Sequence, residues 1–444
     1  MLKGSGLVRK GATLLLLVAS GCAHTHHDRA GCCGPLPRDA PALTIPPVVE
    51  RGEISPDLSR LAPFATLETS LSQERNAVST YRALSARDCQ CLAARSSSVG
   101  NLLDQKANGC LGQAGVTGPL RDEVNRTTLV QEGMLRDAAL EARNRSAGAA
   151  LELFYKLAEA EGRLDILKQS LAEIEETLAS GERMKAKGMQ LGDDFEILRR
   201  QRVATLNSNI ELGLAIERLN TELQHQLKLG PTDERWRIWP VVERSVVADP
   251  DDVPAAVALG LERRADLTLL RRLGQSLDRE NAPLVRGVLG QVHALLELSS
   301  QDELTGWKVL VSLFKRPQAS DREVKELCRQ LQAYRIEREL AAAEEIRQDV
   351  MIVAARLRQV AVAREEVEGW DRRLDELKAK SERGMSTFPE RTTVQLRRFE
   401  AQGSLIEKVM AWQIARVHLA QHQGILLDGC GPTASALPTS PVAR

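Results

Sequence analysis

Histidine and cysteine are the residues of this chain whose spacing could support metal chemistry. His418 and His422 stand four residues apart, which places both imidazoles on one face of a helix. No Glu lies between them and no third ligand is implied, so a pair on the helix surface is the favoured interpretation. A second group near the amino terminus mixes imidazoles with thiols, as soft metals prefer: His24, His26, His27, Cys32 and Cys33.

That second group lies in a stretch rich in Pro and Gly, which favours a flexible tether over a metal site. We therefore predict no metal and no cofactor. The sequence also has no phosphate loop, no dinucleotide fingerprint and no Gly-x-Ser-x-Gly motif. It predicts a protein that is not an enzyme, with no catalytic residues.

Charge and cysteine content argue against two further classes, nucleic-acid-binding proteins and disulfide scaffolds. Lys and Arg total 60 and Asp and Glu total 60, so the formal net charge is zero and no basic excess indicates nucleic acid. The eight cysteines are too sparse and irregular for a disulfide scaffold, and their pairing is left open.

The amino terminus predicts export. A basic start and a short apolar run over residues 1–21 are typical of a secretory signal peptide. The residues before Cys22 resemble a bacterial lipoprotein box, except that Ala19 stands where Leu is usual. We expect lipidation at Cys22; ordinary cleavage, with a free or disulfide-bonded Cys22, is the alternative. No later stretch has the roughly 18 apolar residues of a membrane helix.

The elements that follow are long coiled-coil helices. Aromatic residues make up only 3% of the chain, and apolar residues in the first half alternate spacings of four and three, as in a heptad seam. No Pro interrupts 121–180, which predicts one helix about 90 Å long. A turn and a return helix follow. The seam comprises Leu153, Leu157, Ala160, Leu164, Leu167, Leu171, Ile174 and Leu178.

The second half repeats this pattern. Another four-and-three seam runs from Ile346 to Leu374, a turn follows, and a return helix begins near Glu390. Aligning Gly188 with Gly384 places like charges on like at neighbouring positions. The chain is therefore predicted to be an internal duplication of one helical hairpin.

These motifs resemble the TolC-like outer-membrane efflux protein family. In both halves a helix ends in a basic residue and Gly, and an acidic residue follows six positions later. The join between the halves, Arg264-Ala265-Asp266-Leu267, resembles the family signature Arg-Pro-Asp-Leu, with Ala in place of Pro. The resemblance covers about residues 60–425. It implies a mainly α fold in which two repeated coiled-coil hairpins per chain form a trimeric α-barrel, with a small or degenerate β-barrel portion.

The strand segments that the resemblance implies are weak in this chain. They would fall at about 92–121 and 284–320. The first window lacks the alternation of a membrane strand, whereas apolar and polar residues alternate from Trp307 to Leu313 in the second. Support for a membrane barrel therefore comes from one strand.

The hairpin tips are the functional residues that the resemblance implies. The positions matching the family's contact with an adaptor protein are Lys187, Gly188, Met189, Arg383, Gly384 and Met385. The alternative is that each glycine is only a helix C-cap with a nearby Met. Acids start the return helices, where they complement the helix dipole or, alternatively, act as gating charges between tips: Asp193, Asp194 and Glu390.

The resemblance implies a homotrimeric exit duct of a tripartite efflux or type I secretion system. Its partners would be a periplasmic adaptor and an inner-membrane pump, with a lipid anchor in the outer membrane. The alternative is a periplasmic coiled-coil lipoprotein that acts as a scaffold without a channel. The predicted divisions are a signal peptide (1–21), a tether (22–56), a first repeat (57–230), a linker (231–256), a second repeat (257–429) and a disordered tail (430–444).

Overall fold

The architecture of the chain is dominated by two helical hairpins. The computed structural model describes residues 48–49, 80–113, 121–188, 194–229, 236–242, 252–279, 281–283, 285–286, 320–382 and 388–430. The four long helices are α3 (Arg121–Ala186), α4 (Asp194–Gln226), α7 (Asp321–Glu382) and α8 (Phe388–His422). The prediction of a mainly α fold with repeated hairpins is confirmed, and α3 continues six residues beyond the position expected for its end.

Short helices precede each hairpin in the same order. In the first half, α1 (Ala86–Ser96) and α2 (Ser98–Gln113) are separated by one residue. In the second half, α5 (Val253–Arg263) and α6 (Ala265–Ser276) are again separated by one residue. Residues 92–96 and 98–113 are therefore helical, and a strand assignment there is wrong. The residues from 287 to 319 lie outside the described part of the chain.

A small sheet joins the starts of the two halves. Strand β2 (Thr80–Ser85) pairs in parallel with β3 (Trp236–Val241), with Thr80 opposite Trp236, and β1 (Val48–Val49) pairs antiparallel with β2. β3 lies inside the segment 231–256 that was predicted as a linker. Because one such strand precedes each pair of short helices, the order of elements supports the internal duplication.

The predicted seams form the core of the hairpins. Leu157, Leu164, Leu171 and Ile174 of α3 are buried, and so are the α7 seam residues Ile346, Val350, Val353, Val360 and Val367. Apart from Leu171, both sets belong to one cluster with Phe399, Leu405 and Trp412 of α8. Burial of these side chains from water is the main favourable term that holds the long helices together.

The chain divides into two compact units. The larger comprises Thr44–Gly109, Met134–Leu269 and Arg338–Arg444, and it contains the sheet, the core cluster and the hairpins except for the first parts of α3 and α7. The smaller comprises Met1–Leu43, Cys110–Gly133 and Leu270–Glu337. In the smaller unit, ion pairs Arg279–Asp321 and Arg286–Glu323 attach the segment after α6 to the first turn of α7. Within the described residues, no helix combines the length and hydropathy needed to cross a bilayer.

Candidate docking tips and assembly faces

The first hairpin tip is a glycine-capped helix end. Lys187 N–H donates to the Met184 carbonyl at 3.0 Å, and Gly188 N–H donates to the Lys185 carbonyl at 2.9 Å. Gly188 has a φ of +80°, which L side chains rarely adopt, so the backbone favours glycine here. A Cβ at Gly188 would meet nothing within 4 Å. The C-cap role is therefore observed, and none of the residues that the structure describes fills the space beside this backbone.

The other predicted tip residues are only partly described. Lys187 is exposed and follows Arg183 and Lys185, which lie in the last turn of α3 and complement the helix dipole. Asp194 begins α4 and Glu390 lies in the first turn of α8. Met189, Asp193, Arg383, Gly384 and Met385 lie outside the described residues, as does Cys22.

The described gating candidate has a partner within its own hairpin. Glu390 lies 4.0 Å from Arg373 of α7, and both side chains are exposed. A pair this open to water is weak. The structure therefore places the Glu390 carboxylate beside the adjacent helix of the same hairpin.

Two apolar stripes on the hairpins face outward. On α4, Val203, Ile210 and Leu214 are 56 to 72% exposed, and their spacing places them on one face of the helix. On α7, Leu340, Met351 and Val362 recur every eleven residues, close to three helical turns. These three are 59 to 67% exposed. We call these sets the α4 stripe and the α7 stripe.

These stripes were not predicted, because apolar residues were counted along the sequence without being assigned to helix faces. Val203, Ile210, Leu198 and Ile216 are all apolar residues of α4, yet Leu198 and Ile216 are buried whereas Val203 and Ile210 are exposed. Advancing 100° per residue separates the two sets by about 120° or more. That angular difference was the signal available in the sequence.

The signature at the join between the halves builds an ion-pair cluster. Arg264, which is nearly buried, donates to both carboxylate oxygens of Asp266 at 3.0 and 2.9 Å and to Glu345 of α7 at 2.6 Å. Arg338 contacts the same two carboxylates at 3.1 Å. Burial alone would raise the pKa of Asp266 and of Glu345, but hydrogen bonds and charge from the arginines outweigh it and lower both. The cluster is ionised and fastens the α5–α6 junction to α7.

The two carboxy-terminal histidines contact different helices. His422 Nδ1 lies 2.5 Å from the Asp349 carboxylate of α7, and His418 Nε2 lies 3.7 Å from Glu152 of α3. Among the described residues, no group of three or more His, Cys, Asp or Glu is placed to hold a metal ion. Each imidazole therefore has a carboxylate partner of its own.

A disulfide fastens the segment after α8 to the first half of the chain. Cys91 of α1 is bonded to Cys430 across 339 residues of sequence. Beside it, the Gln90 side chain donates to the Leu426 carbonyl and Arg87 donates to that of Gly429. Cys430, which was predicted to begin a disordered tail, is thus bonded to α1. Two cysteines whose side chains the structure describes are free: Cys89 is buried and Cys328 is exposed.

Three solved structures share this architecture of hairpins. The CmeC outer membrane channel of Campylobacter jejuni is 11% identical, with a TM-score of 0.55 over 76% of this chain and 85% of that chain. The chain has the TolC-like outer-membrane channel fold. The MtrE outer membrane channel of Neisseria gonorrhoeae is 10% identical, with a TM-score of 0.53 over 76% of this chain and 88% of MtrE.

A third similar structure is matched over almost its whole length. The outer membrane protein VceC of Vibrio cholerae is 12% identical, with a TM-score of 0.51 over 76% of this chain and 96% of VceC. No protein-family model matches the sequence, and no curated protein matches it. The likeness therefore lies in the TolC-like fold, which confirms the resemblance drawn from the tips and the join.

Proposed function

We propose that this chain is the subunit of a homotrimeric exit duct in the outer membrane. The duct is a passive conduit of a tripartite efflux or type I secretion system. An inner-membrane pump supplies the energy, and a periplasmic adaptor couples the pump to the duct. The support is the TolC-like fold together with surfaces of this chain that suit such an assembly.

The pair of apolar stripes is the observation that carries the proposal. The α4 and α7 stripes lie on different helices, so contact between them joins unlike surfaces of two copies. Interfaces of this kind close into rings when the rotation between copies is suitable. A ring of hairpins one helix layer thick encloses a lumen, and burying the stripes removes exposed apolar area from water.

The hairpin tips are the proposed contact with the adaptor. The backbone at Gly188 is open to close approach, and exposed positive charge surrounds it at Lys185 and Lys187. An adaptor that presents apolar side chains and acidic groups fits this surface. Met189 and the matching residues Arg383, Gly384 and Met385 complete the proposed contact. We also propose that Asp193, Asp194 and Glu390 act as gating charges between neighbouring tips.

The amino-terminal segment and a disulfide support the proposed cellular location. The signal sequence and the lipoprotein-like box support lipidation at Cys22 and residence in the outer membrane and periplasm. The Cys91–Cys430 disulfide supports an oxidising compartment, because such bonds are rare in cytosolic proteins.

Native mass spectrometry of the solubilised full-length chain tests the assembly. We expect three copies for the wild type and mostly single chains for Ile210→Glu, which places a charge in the α4 stripe. Ser208→Glu is the matched control, because Ser208 is exposed on another face of α4. A monomeric wild type, or a trimer that Ile210→Glu leaves intact, contradicts the proposed ring.

A periplasmic scaffold is the second candidate, and one observation favours it. Residues 92–96 and 98–113 are helical, although the resemblance implied a strand in that window. As a scaffold, the chain would keep the hairpins and the lipid anchor but would not form a channel. Conductance of the assembled particle separates the two candidates.

A further inference from the structure

The same ion pair links the two helices of each hairpin. In the first hairpin, Glu175 of α3 accepts from Arg202 of α4 at 2.7 and 2.9 Å. In the second, Asp371 of α7 pairs with Arg398 of α8. Aligning Gly188 with Gly384 places Glu175 on Asp371 and Arg202 on Arg398. The two halves of the chain thus place an acid and an arginine at the same level of both hairpins.

A buried hydrogen bond links one hairpin to the other at this level. The hydroxyls of Thr177 on α3 and Thr392 on α8 lie 2.8 Å apart, and both residues are almost fully buried. Either hydroxyl can donate in this pair, and Thr177 Oγ1 also lies 2.8 Å from the Glu173 carbonyl oxygen. Removing either hydroxyl leaves a buried polar group without this partner, which is costly away from water.

These three contacts connect the four long helices in series. The order is α4 to α3 through the first ion pair, α3 to α8 through the threonines, and α8 to α7 through the second ion pair. Glu175 precedes Gly188 by about 20 Å of helix. We call the set of Glu175, Thr177, Arg202, Asp371, Thr392 and Arg398 the clasp.

We propose that the clasp is a positioning device that couples the two tips of one chain, so that they move as a single body. A partner meeting both tips would then find them at a fixed separation, and this purpose rests on the proposed function. The coupling itself is a property of the chain. It requires that a disturbance of one hairpin at the clasp also loosens the other.

Hydrogen exchange of the solubilised full-length chain tests this coupling. We expect Glu175→Arg to speed amide exchange about tenfold in 176–186 and 194–201, because the terminal turns then open more often. Exchange in 372–382 and 388–397 should rise as well. The exchanged pair Glu175→Arg with Arg202→Glu should restore both hairpins, which guards against a general folding defect.

Two further variants identify the carrier of the coupling. In a Thr177→Val background, Glu175→Arg should speed exchange in the first hairpin alone. Asp375→Arg is the matched control, since it breaks only the Asp375–Lys378 pair within α7, one turn from Asp371. That control should leave exchange in the first hairpin unchanged.

Three results overturn the inference: no acceleration with Glu175→Arg, acceleration confined to the first hairpin, or spread that persists with Thr177→Val. The exchange rates do not depend on conductance. A chain that never conducts but shows the coupled response contradicts the duct and supports the clasp. A conducting trimer whose hairpins respond independently supports the duct and contradicts the clasp.

Discussion

At the residue scale, the ends of the two return helices show how one backbone position suits different residues. Lys228 follows α4 with a φ of 53°, and Gly424 follows α8 with a φ of +74°. Aligning the hairpins at Gly188 and Gly384 makes these two positions equivalent. The left-handed conformation costs a lysine free energy that glycine avoids.

Substitutions at these two positions should have opposite effects. Lys228→Gly should raise the free energy of unfolding by about 0.5–1 kcal/mol, because the strain is removed. Gly424→Ala should lower it by about 1 kcal/mol or more, since its Cβ would also lie 3.1 Å from the Arg263 carbonyl oxygen. Denaturant unfolding of the two variants measures this. If Lys228→Gly instead lowered the free energy of unfolding, contacts of the lysine side chain would stabilise the fold by more than the backbone strain costs.

His422 makes part of the stability depend on pH. Its hydrogen bond to Asp349 raises the pKa of His422 above 6.5, with Glu345 adding to the rise, while burial and Arg264 oppose it. Since the folded-state pKa is the higher one, protonated His422 stabilises the fold fully below about pH 6.5. That contribution is lost as the pH rises through the folded-state pKa.

Replacing this histidine should therefore matter more in acid. We expect His422→Gln to lower the Tm at about pH 5.5 and to leave it near the wild-type value at about pH 9. His418→Gln is the comparison, since His418 lies farther from its carboxylate, at 3.7 Å. Thermal unfolding at the two pH values measures the difference. An equal loss at both would assign His422 a packing role.

At the element scale, the disulfide holds the segment after α8 on α1. It closes a loop of 339 residues, and cross-links across long loops restrict the unfolded chain strongly. We expect the double change Cys91→Ser with Cys430→Ser to lower the free energy of unfolding by about 2–5 kcal/mol. Cys328→Ser, which removes an exposed free thiol, should have no measurable effect. Unchanged stability of the double variant in denaturant would show that neighbouring hydrogen bonds suffice.

Local patterns in the sequence predicted the hairpins well. The four-and-three seams identified α3 and α7, and Gly188 predicted the turn, because helix periodicity and a glycine cap depend on neighbouring residues only. The ion pairs of the clasp could also have been predicted, because the alignment that matched Gly188 with Gly384 also matches Glu175 with Asp371. Comparing these charges with those of the return helices would have indicated the pairs.

Contacts between distant residues could not be predicted in the same way. Nothing near Cys91 indicates Cys430 as its partner, and Arg264 finds Glu345 only after α7 packs beside it. Strand β3 was assigned to a linker, although Trp236 and Ile238 alternate with Arg237 as in a strand. Its Pro240 and its short length disguised that signal.

At the scale of the whole molecule, we propose that lipidation of Cys22 attaches the chain to the membrane. We expect the wild type, expressed with its signal, to incorporate labelled palmitate, and Cys22→Ser to incorporate none. Cys328→Ser should label like the wild type. Mass spectrometry of the amino-terminal peptide and the label together measure this. An unlabelled wild type would favour ordinary cleavage and a free or disulfide-bonded Cys22.

We propose that copies of this chain enclose a duct, and single-channel conductance in planar bilayers tests this most directly. Particles purified from outer membranes should give discrete, ion-selective conductance steps. Ile210→Glu should abolish these steps by separating the copies, whereas Ser208→Glu should preserve them. Assembled wild-type particles that reach the bilayer and never conduct would contradict the duct and leave the scaffold.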